Sequence, residues 1–183
     1  MSELLFISDT HFGHGNIIKY CNRPFENRDE MNEVLIETWN RYVKPGDRVI
    51  HLGDFGFAPA AKIDELLTRL NGTKTLISGN HDDSRVRRSP GWTDVVSQMK
   101  FDIGAFKFIC SHYPNWKKYD GWDIFLHGHC HATLEPTKNV LDVGVDMAYK
   151  LYGEFRPFTL DDIATELERI DGLFGEPKET TEV

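Results

Sequence analysis

The chain has 183 residues, of which 40% are hydrophobic and 27% are charged, values typical of one soluble globular domain. Its 29 acidic and 21 basic residues give a formal net charge of -8. This balance argues against a general nucleic-acid coat protein, because an acidic surface repels phosphate backbones. Eight histidines accompany only three cysteines, which favours metal binding or acid–base chemistry over a disulfide framework.

The cysteines and the apolar runs indicate the compartment. Cys21, Cys110 and Cys130 are odd in number and lack CxxC spacing, which argues against disulfides and against a cysteine-rich zinc site. The first residues lack the basic and apolar segments of a signal peptide, and no apolar run approaches the ~20 residues that cross a bilayer. We therefore expect a cytoplasmic protein with no membrane partner.

The first half of the chain alternates between strand and helix patterns. Apolar runs predict strands at Leu4–Ile7, Arg48–Leu52 and Thr73–Ile77. Helical periodicity predicts helices between them, at Asn27–Val43 and Pro59–Leu70. Such a β-α-β-α-β order predicts parallel strands joined by right-handed crossovers.

The second half is richer in strands. Met99–Ile103 and Ala105–Cys110 flank Gly104 and predict a hairpin, and two further apolar runs follow at Asp123–Leu126 and Val140–Val145. A helix is predicted at Thr159–Ile170, with Thr159 and Asp162 capping its start. We expect one domain over residues 1–170 and an acidic, flexible tail over residues 171–183.

Five of the predicted strands end in the same way, with a small residue followed by a side chain that can bind metal. The blocks are Ser8-Asp9-Thr10-His11, Gly53-Asp54, Gly79-Asn80-His81-Asp82, Ser111-His112 and Gly128-His129-Cys130-His131. Ligands of α/β proteins bind outside the carboxyl ends of the strands, so these blocks are expected to converge on one site.

The converging side chains combine oxygen and imidazole donors. This mixture suits Mn, Fe, Zn, Ni or Co better than Ca or Mg. The candidates outnumber the ligands that one ion takes, which predicts two divalent ions that share a bridging carboxylate. Such ion pairs lie roughly 3.5–4 Å apart and activate water for the displacement of an ester.

The ordered blocks D-x-H, GD, GNHD, a single His and GHxH resemble the calcineurin-like metallophosphoesterase superfamily. Ser8 to His14 and Arg23-Pro24-Phe25 resemble its small bacterial and phage members. The resemblance implies an α/β fold, a four-layer α/β/β/α sandwich of two mixed β-sheets. It also implies a ligand role for seven residues, with Asp9, His11 and His131 at one ion, Asn80, His112 and His129 at the other, and Asp54 bridging. His81 would protonate the leaving group, and manganese is the favoured metal.

The chain departs from the family pattern in two places. Many relatives continue the second block as GDxxD, and that later Asp orients the catalytic histidine. Phe57 occupies its position here, so what orients His81 is left open. The arginine that follows this Asp in protein Ser/Thr phosphatases is also missing, which argues against a phosphatase of that type.

Two further residues are candidates for substrate binding. His14 follows the first block on the same loop and is predicted to contact the substrate or the metal shell. Arg23 is predicted to hold a phosphate oxygen, with a surface salt bridge as the alternative. The aromatic residues after His112 could stack a nucleobase or cover the sheet edge.

The predicted function is the hydrolysis of small phosphodiesters, of nucleotide or cyclic-nucleotide type. A phosphomonoesterase is the alternative, followed by a non-catalytic binding scaffold on the same fold. The expected partner is a small phosphate ester, and no stable nucleic-acid complex is expected from the acidic charge.

Overall fold

The computed structural model describes residues 2–115, 117, 121–134, 137 and 139–174, the last four of these as backbone only. The strands are β1 (Leu4–Ile7), β2 (Arg48–His51), β3 (Thr73–Ile77), β4 (Asp94–Val96), β5 (Gln98–Ile103), β6 (Phe106–Ser111), β7 (Ile124–His127) and β8 (Val140–Asp142). The helices are α1 (Gly15–Tyr20), α2 (Arg28–Tyr42), α3 (Ala60–Arg69), α4 (Ser84–Arg87), α5 (Val145–Tyr152) and α6 (Leu160–Phe174).

The first sheet has the order β1-β2-β3-β4, and every neighbouring pair is parallel. The predicted parallel arrangement of β1, β2 and β3 is therefore confirmed. The prediction of two mixed sheets is therefore wrong for this sheet, whose four strands are all parallel. Phe6 of β1 also forms an isolated antiparallel bridge with Phe158, which lies outside the strands. The parallel arrangement places the carboxyl ends of β1, β2 and β3 at one edge.

The second sheet has the order β5-β6-β7-β8 and is mixed, as predicted. Strands β5 and β6 form the antiparallel hairpin around Gly104, whose φ of +60° suits glycine in the turn. Strands β6, β7 and β8 are parallel to one another. The carboxyl ends of β6 and β7 therefore also lie at one edge.

Two apolar cores place the sheets face to face. Alternate residues of the first sheet, such as Leu5 and Leu76, pack against α2 and α3 through side chains that include Trp39 and Leu66. The opposite face of that sheet, with Phe6 and Ile50, packs against the inner face of the second sheet. Residues of α5 and α6 share this inner core. Two four-stranded sheets with flanking helices confirm the predicted α/β class.

The helix starts follow from side-chain caps. The Asn27 side chain accepts the N–H groups of Asp29 and Glu30, which starts α2 one residue after the cap. Thr159 and Asp162 cap α6 reciprocally, as predicted.

The last helix passes the predicted domain boundary. Helix α6 continues to Phe174 rather than ending at Ile170. Residues 171–174, which were predicted as the start of a flexible tail, therefore belong to this helix. Residues 175–183 lie outside the described residues. Within the described part of the chain, no helix combines the length and the apolar character needed to cross a membrane.

Candidate metal centre

The five predicted blocks lie together at the carboxyl ends of β1, β2, β3, β6 and β7. Backbone hydrogen bonds join the loops that follow β1 and β2, since the N–H groups of Asp9 and His11 donate to the carbonyls of Gly53 and Asp54. The second sheet joins this edge through the His129 N–H, which donates to Asp9 Oδ2 over 2.9 Å. The site is therefore built from both sheets.

Asp9, His11 and His131 form the first group of convergent donors. Asp9 Oδ1 lies 3.9 Å from His11 Nε2 and 3.9 Å from His131 Nε2. Donors that bind one ion at about 2.0–2.2 Å are separated by distances of this order. These three atoms can therefore share one cation.

Asp54, His112 and His129 form the second group. Asp54 Oδ2 lies 3.5 Å from His112 Nε2 and 3.7 Å from His11 Nε2, so it faces a donor of each group. Asn80 Oδ1 lies 3.0 Å from His112 Nε2 and adds an amide oxygen. The structure thus brings together all seven residues predicted as ligands, with Asp54 between the two groups.

Hydrogen bonds fix the orientation of two of these imidazoles. The Nδ1–H of His112 donates to the Leu52 carbonyl over 2.8 Å, and the Nδ1–H of His131 donates to Asp146 Oδ2 over 2.7 Å. In each ring this leaves Nε2 directed at the site, and metal-binding histidines are usually held in this way.

The remaining donors fit a cation because they are buried and lack partners. Asp9 Oδ1 and His11 Nε2 are buried without a hydrogen-bond partner in the described part of the chain. Burial raises the pKa of Asp9 to about 7 and lowers the pKa of His11 to about 2. A divalent cation would supply the missing partner for both atoms, and its positive charge would favour the ionised form of Asp9.

Asp54 is the best stabilised carboxylate of the site. Burial opposes its ionisation, but the hydrogen bond and charge of His112, with the backbone N–H of His81, hold its pKa well below the ordinary value. The His81 N–H donates to Asp54 Oδ1 over 2.9 Å, which leaves Oδ2 for the two donor groups.

Five of the predicted ligands adopt a left-handed backbone conformation that side chains other than glycine rarely take. The φ values are +58° at Asp9, +51° at His11, +56° at Asp54, +70° at His129 and +46° at His131. Each such residue costs about 1–3 kcal/mol, and such strain clusters at functional sites. The same geometry turns these side chains toward one another at the ends of otherwise regular strands.

The glycines of the blocks allow the strand ends to approach closely. A Cβ on Gly79 would overlap Asp54 Oδ1, and a Cβ on Gly128 would overlap Ser8 Oγ and Asp9 Oδ2. At Gly53, whose φ is +98°, a Cβ would lie 2.6 Å from His112 Nδ1. The glycines that precede Asp54, Asn80 and His129 are thus required by the packing of the site.

His81 and His14 lie beside the donor groups. The His81 ring centroid is 5.5 Å from that of His11, and the rings of His14 and Phe57 lie 6.3 and 6.4 Å from it. Among the described residues, the His81 side chain donates no hydrogen bond to a carboxylate. Phe57 therefore replaces the missing Asp with an aromatic contact, and His14 lines the same cavity.

Arg23 does not line the cavity beside the donor groups, so its prediction as a phosphate-binding residue is wrong. Its buried guanidinium donates to both carboxylate oxygens of Asp146, over 2.8 and 2.9 Å, and to the carbonyls of Asp9 and Thr10. Its donors are therefore already used, and the alternative of a surface salt bridge also fails because the pair is buried.

Two carboxylates that support the donor groups, Asp146 and Asp82, were not predicted from the sequence to do so. Asp146 links Arg23 to His131, and although burial opposes its ionisation, these two partners lower its pKa to about 2. Asp82 accepts the N–H groups of Asp54, Phe55 and Gly79 and so ties the loops after β2 and β3. Asp82 was visible as the last letter of GNHD, whereas no local pattern pointed to Asp146.

Comparison with known proteins gives a family and a fold. A model of the calcineurin-like phosphoesterase superfamily domain matches residues 3–144. The uncharacterized protein MJ1445 of Methanocaldococcus jannaschii is 36% identical over 181 residues, which covers 92% of this chain and 93% of that protein. The Gene 66 protein of Mycobacterium phage D29 is 29% identical over 168 residues, covering 73% and 81% of the two chains.

A solved structure supports the same architecture. The protein of unknown function AQ665 from Aquifex aeolicus matches with a TM-score of 0.73 and 24% identity, covering 91% of this chain and 100% of that chain. This likeness confirms the arrangement of two sheets with flanking helices.

Proposed function

The chain belongs to the calcineurin-like phosphoesterase superfamily, and from this membership we propose that it is a dinuclear-metal enzyme that hydrolyses small phosphodiesters. The observation that carries the proposal is the pair of donor groups, Asp9 with His11 and His131, and Asp54 with His112 and His129. Asn80 would complete the second group, and Asp54 would hold both ions.

The two cations, with manganese favoured, would acidify water and offset the negative charge of the phosphate. The protein holds the donors in place before any ligand arrives, since the backbone of Asp9 and the rings of His112 and His131 are each fixed by hydrogen bonds. Such preorganisation lowers the cost of forming the charged transition state.

His81 is proposed as the general acid. Its backbone N–H is fixed on Asp54, while its exposed side chain extends beside the donor groups. Histidine is well suited to carry a proton near neutral pH, and here it would donate that proton to the departing ester oxygen. Contacts with the His14 and Phe57 rings take the place of an orienting carboxylate.

A diester is favoured over a monoester by the charge of the cavity. The cavity beside the donors measures about 530 Å³. Its described lining consists of five histidines with Ile17, Tyr20, Cys21, Cys130 and Thr133, and it includes no lysine or arginine. A monoester dianion carries one more negative charge than a diester, and Arg23 is turned away from this space. Neutralisation by the cations alone therefore suits the monoanionic diester.

Metal content tests the proposed centre directly. Purified protein dialysed against Mn²⁺ is expected to retain two ions per chain by mass spectrometry of its metals. Asn80→Ala is expected to retain close to one ion, and Asn16→Ala, which alters an exposed asparagine of α1, is the matched control. One ion or none in the wild-type protein under these conditions would contradict a dinuclear centre.

Turnover tests the reaction. With Mn²⁺ bound, kcat/KM for bis-(p-nitrophenyl) phosphate is expected to exceed that for p-nitrophenyl phosphate, and the reverse order would identify a monoesterase. His81→Gln is expected to slow diesters with an alkoxide leaving group by roughly 10²–10⁴-fold. It should affect nitrophenolate esters far less, because that group departs without a proton. An equal loss for both esters would remove the general-acid role.

A further inference from the structure

Exposed aromatic side chains surround the candidate metal centre. Five large apolar side chains are exposed in the described part of the chain, namely Tyr20, Phe57, Phe106, Tyr113 and Tyr149. Scattered single apolar residues are normal on a protein surface, whereas a cluster marks a binding site. Tyr113 contacts His129 of the second donor group, and Tyr20 and Phe57 contact His14, which lies beside the donors. Three of the five therefore adjoin the candidate centre.

Tyr20, His14 and Phe57 form a continuous aromatic wall on the side of His81. The His14 ring centroid lies 6.3 Å from that of Tyr20 and 5.5 Å from that of Phe57, and Phe57 in turn contacts His81. Tyr20 is 72% exposed, so its ring does not serve the core. Tyr113 lies on the other side of the centre, against His112 and His129.

The wall lies on the side of the cavity where the leaving group of the substrate would bind. A general acid must lie beside the oxygen of the leaving group, so the leaving group occupies the His81 side of the cavity. Tyr20 and His14 line this cavity, and Phe57 adjoins it through its contacts with His14 and His81. The wall is therefore placed to contact the leaving group rather than the ester that stays on phosphorus. Planar π-systems stack on exposed tyrosine and phenylalanine rings, and nucleobases do so irrespective of their sequence.

We infer that the substrate is a phosphodiester whose leaving group is a nucleoside, with its base stacked on the wall of Tyr20, His14 and Phe57. This inference rests on the proposed phosphodiesterase activity. Water bonds to phosphorus through its oxygen and releases one proton to solvent. The bond from phosphorus to the nucleoside oxygen breaks, that oxygen takes the proton from His81, and His81 then regains a proton from solvent. The cavity of about 530 Å³ lies within the range of sites that hold ligands of this size.

A pair of substrates with the same leaving-group oxygen isolates the base. Thymidylyl-(3′→5′)-thymidine is compared with an analogue in which hydrogen replaces the base of the leaving nucleoside. The wild-type protein is expected to show kcat/KM higher by roughly 5- to 150-fold for the diester that carries the base. Tyr20→Ala is expected to bring this ratio close to one.

Phe106→Ala is the matched control, because Phe106 is an exposed aromatic residue on the β5–β6 hairpin of the second sheet. It is expected to keep the wild-type ratio. A wild-type ratio near one, or an unchanged ratio in Tyr20→Ala, would overturn the inference. Calorimetric binding of both diesters to metal-free protein gives a second readout, in which the base should tighten binding by a similar factor and Tyr20→Ala should remove the gain.

The same preparations separate this inference from the proposed function. Turnover of bis-(p-nitrophenyl) phosphate without discrimination for the base would overturn the nucleoside leaving group and leave the phosphodiesterase standing. Absence of turnover with every diester, in protein that holds two ions, would overturn both.

Discussion

Arg23 gives the sharpest test of how the candidate metal centre is supported. Replacing it by methionine keeps an unbranched side chain but leaves the buried Asp146 carboxylate without its guanidinium and frees the carbonyls of Asp9 and Thr10. Removing one partner of a buried ion pair costs about 3–5 kcal/mol. Since small proteins have about 5–15 kcal/mol of stability in total, Arg23→Met should remain folded with a markedly lower unfolding midpoint.

The same substitution should weaken the first metal site. Asp146 holds His131, and Arg23 holds the backbone of Asp9, so two donors of one group lose their support. Loss of such supporting contacts typically reduces metal affinity by about 10–100-fold. Urea unfolding gives the free energy, and titration of metal-free protein with Mn²⁺ gives the affinity.

A surface arginine provides the control. Arg41 pairs with Glu154 over 2.9 Å, but both side chains are well exposed, so Arg41→Met should cost less than about 1 kcal/mol. A loss of stability in Arg23→Met no greater than that in Arg41→Met, or binding of two Mn²⁺ ions with wild-type affinity, would refute this supporting role of Arg23.

Gly79→Ala should abolish binding of the second ion and lower the thermal midpoint, because the new methyl group overlaps Asp54, whereas Gly46→Ala, with open space around it, should change neither. Two backbone N–H groups hold the pKa of Asp47 below its usual value. Asp47 therefore stabilises the fold above its unfolded-state pKa, and this contribution is lost as the pH falls through the folded value. Asp47→Asn should thus reduce stability to urea at pH 7 and much less at pH 3. Saturating Mn²⁺ at about 100 times its Kd should stabilise the native state by about 2.7 kcal/mol per site, and an unchanged midpoint would contradict binding to the folded chain.

The sequence was sufficient for the long regular elements. Strands β1 and β3 have the predicted bounds, and α2 and α3 differ from theirs by a residue at each end. Their apolar runs and periodicities are set by burial in one core, which is a local signal. The short elements gave no such signal, as in α4 with four residues and β4 with three.

Helix α5 was not predicted, because the valines before it favour a strand. The run from Val140 was predicted to be a strand as far as Val145, but β8 ends at Asp142 and α5 begins at Val145. β-Branched residues favour strands, so the valines masked the change at Gly144. Tertiary contacts decide such a boundary, because the N–H of Val145 donates to the Ser8 carbonyl far away in the chain.

The candidate metal-binding residues could be predicted from the sequence, but the residues that hold them in place could not. Asp9 and Asp54 could be found because each ligand follows a strand end directly. The contact of Arg23 with Asp146 joins positions 123 residues apart, so no local pattern reveals it. The prediction for Arg23 was wrong for the same reason. An arginine close to such a site in the sequence can either face the ligand or hold the residues that bind it, and only the tertiary structure distinguishes the two.

Each donor group draws on both sheets, and this has a consequence for how the molecule opens. Asp9 and His11 follow β1, whereas their partner His131 follows β7. A bound ion would therefore link the two sheets, and part of its binding free energy would oppose their separation. Amide hydrogen exchange in strands of both sheets should then slow together when metal is added, so that two layers able to open independently behave as one cooperative unit.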